Sequence, residues 1–185
     1  MPSLMNSADR VDHLVSAVVH LIETDGVEAV TIRRIAGVMR LSPSTLTSHL
    51  TDKRRMIDLV IKGVETRLTR SIRARSLRYA VCALIPDDED LPLVRAWLAL
   101  TELARADDEL SEVVASGDDE LRDLVGRLAR VRAADDPTLD ALRAVVIGLW
   151  VARCAGADPM PTDRAIGVLR HACAALGIDA EPDAA

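Results

Sequence analysis

The chain is poor in aromatic residues. Among 185 residues there are two Trp, one Tyr and no Phe, although hydrophobic types make up 49%. A core of that composition must be filled by Leu, Val, Ile and Ala, a mixture that favours helices over sheets. Cysteine is scarce as well: Cys82, Cys154 and Cys173 are odd in number and contain no C-x-x-C pair. That excludes a disulfide scaffold and points to small apolar residues in a reducing compartment. No apolar run is long enough for a bilayer, the longest being Ala144–Ala152 between Arg143 and Arg153. The N-terminal residues lack the basic flank and apolar stretch of a signal peptide. The expectation is a cytoplasmic protein with no membrane partner. Catalytic signatures are missing too: there is no Gly-rich phosphate loop, no nucleophile elbow and no H-E-x-x-H. His171 and Cys173 are two apart on a predicted helix, so they face different ways and make a poor metal pair. No catalytic residue, metal or cofactor is expected.

What is present is an uneven distribution of charge. The net charge is −6, but residues 1–80 hold 13 Lys and Arg against 8 Asp and Glu, a charge of +5, while residues 81–185 hold 10 against 21, or −11. The first part can approach an anionic partner while the second keeps the chain in solution.

Helical periodicity runs the whole length, and sustained strand-like alternation is nowhere found, so the fold class is all-α. Val11, Leu14, Val15, Val18, Leu21 and Ile22 mark a first helix that Asp25-Gly26 stops. Thr31 caps a short second helix with Ile32, Ile35, Ala36 and Met39 inward. Ser42-Pro43 is an N-cap followed by proline at the first helical position, opening a third helix with Leu46 and Leu50 on one face. Asp52 caps a fourth through Met56, Leu59, Val60, Val64 and Leu68. Later come an acidic loop from Pro86 to Pro92, a helix from Leu93 to Arg105, helical segments at 109–116 and 119–131, a long helix opened by Asp136-Pro137 and ending at Cys154, and a last one stopped by Gly177. The last two helices, about 137–154 and 162–176, are apolar on more than one face, as expected of helices that pack against a second copy of themselves.

Residues 31–50, TIRRIAGVMRLSPSTLTSHL, have the layout of a helix-turn-helix: two short helices, a tight turn, small Ala36 at the crossing, and Ile35, Met39, Leu41, Leu46 and Leu50 expected on the buried face. Ser44, Thr45, Thr47, Ser48 and His49 remain outward on the second helix, polar and mostly short, suited to a major groove. Ser42 and the free N–H groups of the first turn form an anion site, and Lys53 offers a second phosphate contact.

The stretch GVEAVTIRRIAGVMRLSPSTLTSHLTDKRRMIDLVI resembles the DNA-binding domain of the TetR family of transcriptional regulators. More weakly, LPLVRAWLAL and AVVIGLWVARCAG resemble the ligand-binding domain of the branch that contains the repressor of choline-to-betaine genes. The resemblance implies a helix-turn-helix domain at 1–55 and a helical ligand-sensing and dimerisation domain at 56–185. It implies a ligand-released repressor that binds a palindromic double-stranded DNA operator as a homodimer through the last two helices. By position, Thr31, Ser42, Thr45, His49 and Lys53 match places that contact phosphates or bases in the family. Thr47 replaces a tyrosine that touches the backbone, Leu50 replaces phenylalanine, and Arg40 stands in place of the turn glycine. An arginine at positive φ would cost about 1 kcal/mol, and Arg40 can supply a basic contact in return. For the small-molecule effector, Trp97 and Trp150 are the lining candidates, with polar help from Arg95, Glu102 or Arg153. Two Trp and one distant Tyr make a poor aromatic cage for a quaternary ammonium, so an aliphatic or amphipathic effector suits the composition better than choline.

Overall fold

The computed structural model describes residues 7–50, 53–131, 136–156 and 158–180. Eight α-helices account for most of them, and no strand occurs among the described residues. They are α1 (Ser7–Asp25), α2 (Ile32–Val38), α3 (Pro43–Leu50), α4 (Lys53–Tyr79), α5 (Leu91–Ala104), α6 (Asp108–Ala129), α7 (Pro137–Cys154) and α8 (Thr162–Ala175). The chain divides into two compact units, Met1–Arg67 with Arg95–Ala115, and Leu68–Val94 with Ser116–Ala185. Helices α4, α5 and α6 each begin in one unit and end in the other.

In the first unit the core is made by Leu14, Val15, Val18 and Leu21 of α1, Ile35 and Ala36 of α2, Leu46 of α3, and Met56, Ile57, Val60, Ile61 and Val64 of α4. The α1–α4 approach depends on Gly63, where an added Cβ would stand 2.3 Å from Cγ2 of the fully buried Val15. Arg67 pins the same two helices, donating to the Asp12 carboxylate at 3.1 Å, the Asp12 carbonyl at 2.6 Å and the Ser16 hydroxyl at 3.0 Å.

The second unit packs α7 and α8 through Leu139, Leu142, Val146, Leu149, Trp150, Ala165, Leu169 and Cys173. A short 3-10 segment, Ala80–Leu84, is buried beside them, and the Trp150 indole N–H donates to its Leu84 carbonyl at 2.7 Å. Arg153 is buried, its guanidinium bonding the Asp88 carboxylate at 2.8 Å and the Met160 carbonyl at 2.9 Å. The acidic run has become a second 3-10 turn, Asp88–Asp90, and Arg75 binds Asp90 and donates to the Ala83 carbonyl at 3.1 Å.

Two further expectations change. The helical segments at 109–116 and 119–131 are one helix, α6, running unbroken through Ser116, Gly117 and Asp118. A glycine inside a helix costs only about 1 kcal/mol, which the buried Leu110, Leu121, Leu124 and Val125 outweigh. Leu41 is not on the buried face; 41% of its surface is exposed. The turn that places it there ends α2: Arg40 takes φ 55°, its N–H bonds the Gly37 carbonyl at 3.1 Å, and the Leu41 N–H bonds Ala36 at 2.8 Å. That pair of bonds is a Schellman motif with arginine in the left-handed position normally held by glycine. The expected cap Asp52 lies outside the described residues.

Candidate nucleic-acid interface

Helix α3 is capped as its sequence requires. The Ser42 hydroxyl accepts the Thr45 N–H at 3.0 Å, and Pro43 fills the first helical position, where no N–H partner exists. Thr31 caps α2 in the same way, accepting the Arg34 N–H at 3.4 Å. The Ser42 hydroxyl also meets those of Ser44 at 2.9 Å and Thr45 at 2.7 Å. Thr47 donates to the Pro43 and Ser44 carbonyls at 3.1 and 3.2 Å, and Ser48 to Thr45 at 2.9 Å. Four hydroxyl residues therefore line one short helix with their hydrogens turned inward or shared, presenting oxygen lone pairs to solvent. His49 and Leu50 lie on α3, their side chains outside the described ones.

Charge at the helix starts is arranged against the usual rule. An N-terminus carries a partial positive charge and is normally matched by acidic residues, as it is in α1, α6, α7 and α8. Helices α2, α3, α4 and α5 have none in their first turns, but α5 directly follows the acidic turn Asp88–Asp90, whereas α2 has Arg33 and Arg34 in its first turn and α4 begins Lys53-Arg54-Arg55. Several of these cations are already committed. Arg34 binds Asp25 at 2.7 Å, and a hydrogen bond from the Thr24 hydroxyl, with help from Arg34, holds the Asp25 carboxyl below its ordinary pKa. Arg54 forks onto Asp107 at 3.0 Å and Glu109 at 2.9 Å, and Arg55 binds Asp58 at 3.2 Å. Arg33, Arg40 and Lys53 are exposed and make no ion pair among the described residues. Sequence reasoning missed Arg33, because nothing local separates it from Arg34; only the position of Asp25 does.

The residues named for an effector do not form one cluster by unit. Arg95, Trp97 and Glu102 belong to the first unit, and Arg95 binds Glu23 at 2.8 Å. Trp150 and Arg153 belong to the second, both buried; the Trp150 indole N–H and the two terminal nitrogens of Arg153 are bonded as above, while the Arg153 Nε is buried without a hydrogen-bond partner among the described residues. Among the described residues no group of His, Cys, Asp or Glu is placed to hold a metal ion, and no helix is long and apolar enough to cross a membrane.

Residues 73–177 match the family model of the C-terminal domain of BetI-type transcriptional repressors. The chain belongs to the TetR family of transcriptional regulators. It is a transcriptional regulator by family, and so not an enzyme. Solved structures of similar fold include a transcriptional regulator from Rhodococcus sp. Rha1, with TM-score 0.76 and 18% identity over 93% of this chain and 99% of that one. A transcriptional regulator from Saccharomonospora viridis in complex with choline aligns with TM-score 0.70 and 16% identity over 91% and 97%. The multidrug binding protein EbrR complexed with ethidium aligns with TM-score 0.65 and 18% identity over 90% and 99%. No curated protein matches the chain in sequence.

Proposed function

We propose that the protein is a ligand-released repressor that binds a palindromic operator as a homodimer, each subunit laying α3 in a major groove. The observation that carries this is the set of three successive helices with no acidic residue in their first turns, together with three cations, Arg33, Arg40 and Lys53, that make no ion pair among the described residues. Cations at those ends raise the energy of the free protein and are relieved by phosphates. Thr31, Ser42 and Lys53 are assigned to the backbone, and Arg33 joins them. Ser44, Thr45, Thr47, Ser48 and His49 face the base edges. With their hydrogens on helix carbonyls, Thr47 and Ser48 meet the groove as acceptors, matched to the amino hydrogens of cytosine and adenine.

Dimerisation is supported by α7 and α8. Val151 and Val168 expose 48% and 42% of their surfaces, and Gly148 and Gly167 have open space where a Cβ would stand. A second copy packing on those faces would bury them. The effector is a small molecule, for which Trp97 with Arg95 and Glu102 in the first unit, or Trp150 with Arg153 in the second, are the candidate contacts. Differential affinity of that ligand for two arrangements of the dimer is all that release requires.

The test is fluorescence anisotropy with labelled duplex from the DNA upstream of the protein's own gene, over a salt series. The expected result is saturable binding that random duplex does not compete, with a log–log slope of about −0.9 per phosphate neutralised. No binding even at low salt would overturn the reading in favour of a helical dimer whose helix-turn-helix has lost DNA.

A further inference from the structure

The large apolar side chains exposed among the described residues fall in two places: Val151 and Val168 on α7 and α8, and Val38 and Leu41 on either side of Arg40. The first pair is explained by the proposed dimer. The second lies in the helix-turn-helix itself, beside a cation with no ion pair among the described residues, where an apolar protein partner would have to bury Arg40. A scattered exposed leucine needs no explanation, but this one is held in place. Its N–H is bonded to Ala36 at 2.8 Å and the next residue, Ser42, caps α3.

We propose that Leu41 reads a thymine 5-methyl group at the edge of each operator half-site, an inference that rests on the operator-binding reading above. The outward side chains Ser44, Thr45, Thr47 and Ser48 are all short, so α3 must come close to the groove floor to touch bases at all. Recognition helices enter by their N-terminal end, which brings the residue just before the cap to the same depth. Arg40, next to Leu41 in the turn and exposed, suits the surroundings of Leu41 to a polyanion. The thymine methyl is the one apolar group on the major-groove edge of the bases, so it is the partner an apolar side chain can gain from there. Leu41 is thus a specificity-determining residue that favours thymine over cytosine at one position per half-site.

The experiment begins with a duplex selected by the wild-type protein from a random pool. Each thymine is then replaced by deoxyuridine, which removes the methyl and keeps the pairing edge. One position per half-site should lose about fourfold in affinity, about fifteenfold when both half-sites are changed, the factor for one buried methyl. Leu41→Ala should bind the thymine duplex more weakly by a similar factor and be indifferent to deoxyuridine there. Equal deoxyuridine penalties for Leu41→Ala and wild type, or no penalty anywhere, would overturn the proposal, and the wild-type scan decides this even if the variant folds poorly. Failure to select any sequence would overturn the operator reading itself, and this inference with it.

Discussion

Arg153 and Asp88 form an ion pair of opposite exposures. The arginine is 1% exposed and the aspartate side chain 85%, with 2.8 Å between them. The guanidinium has been drawn out of water and is balanced by a carboxylate that stays in it, with the Met160 carbonyl as its second partner. Asp88→Ala should therefore destabilise the protein by about 1–3 kcal/mol, less than for a wholly buried pair because solvent screens the aspartate. Adding Arg153→Met to that variant should cost little more, since the unpaired buried charge is gone. Urea unfolding of the single and double variants checks this, and a double variant far below Asp88→Ala would refute it.

Arg40 occupies a left-handed position, φ 55°, that suits glycine. Arg40→Gly should stabilise the fold by about 1 kcal/mol. If Arg40 contacts a phosphate, the same change should weaken operator binding and make the salt slope shallower by about 0.9 per subunit. The two readouts move in opposite directions, so thermal unfolding and anisotropy on one variant separate strain from function.

A Cβ added at Gly148 would meet no atom of its own chain within 4 Å, and the residue lies one turn from the exposed Val151 on α7. Gly148→Gln should leave helix content and melting of the monomer intact and raise the dimer dissociation constant at least tenfold. Sedimentation equilibrium gives the constant. An unchanged dimer would move the interface away from α7.

Burial, and next to it the neighbouring Cys82, push the Cys173 thiol from its ordinary 9.0 up to about 11. The unfolded chain gives up this proton from about pH 9, while the native state keeps it. Bound protons are then fewer in the unfolded state, so stability from this group falls as pH rises from about 9 towards 11 and is indifferent below that window. Denaturant melts at pH 7, 9 and 10.5, compared with Cys173→Ala, should show the wild type losing more over the upper interval. Iodoacetamide at neutral pH should label Cys173 only after unfolding.

Gly63 meets Val15 where α4 crosses α1. Alanine there gains helix propensity, up to about 1 kcal/mol, but its methyl would sit 2.3 Å from a stiff, fully buried side chain. Overpacking of about 1–3 kcal/mol should win, and Gly63→Ala should melt lower. A rise in Tm would show that the crossing can open at no cost.

Much of this protein was legible in one dimension. Thr31, Ser42-Pro43, Asp136-Pro137 and Gly177 end or begin helices where local chemistry says they should, because a cap is made by groups two or three residues apart. The positions of α7 and α8 follow from the same short-range rules, while the left-handed arginine at residue 40 was implied by the family resemblance, which puts it in place of the turn glycine. What distance in sequence hides is which partner each side chain finds. Gly117 looks like a break until burial of its neighbours carries α6 through it. Leu41 has the hydrophobicity of a core residue, and only the turn around Arg40 turns it outward. Arg33 and Arg34 are identical in sequence terms, and only the end of α1 decides that Asp25 takes one and leaves the other. Helices, their ends and the family could be read from the chain alone, since these rest on contacts within a few residues. Which cations are neutralised and which remain for a phosphate emerged only on folding, since ion pairing depends on distances in space between residues far apart in the chain.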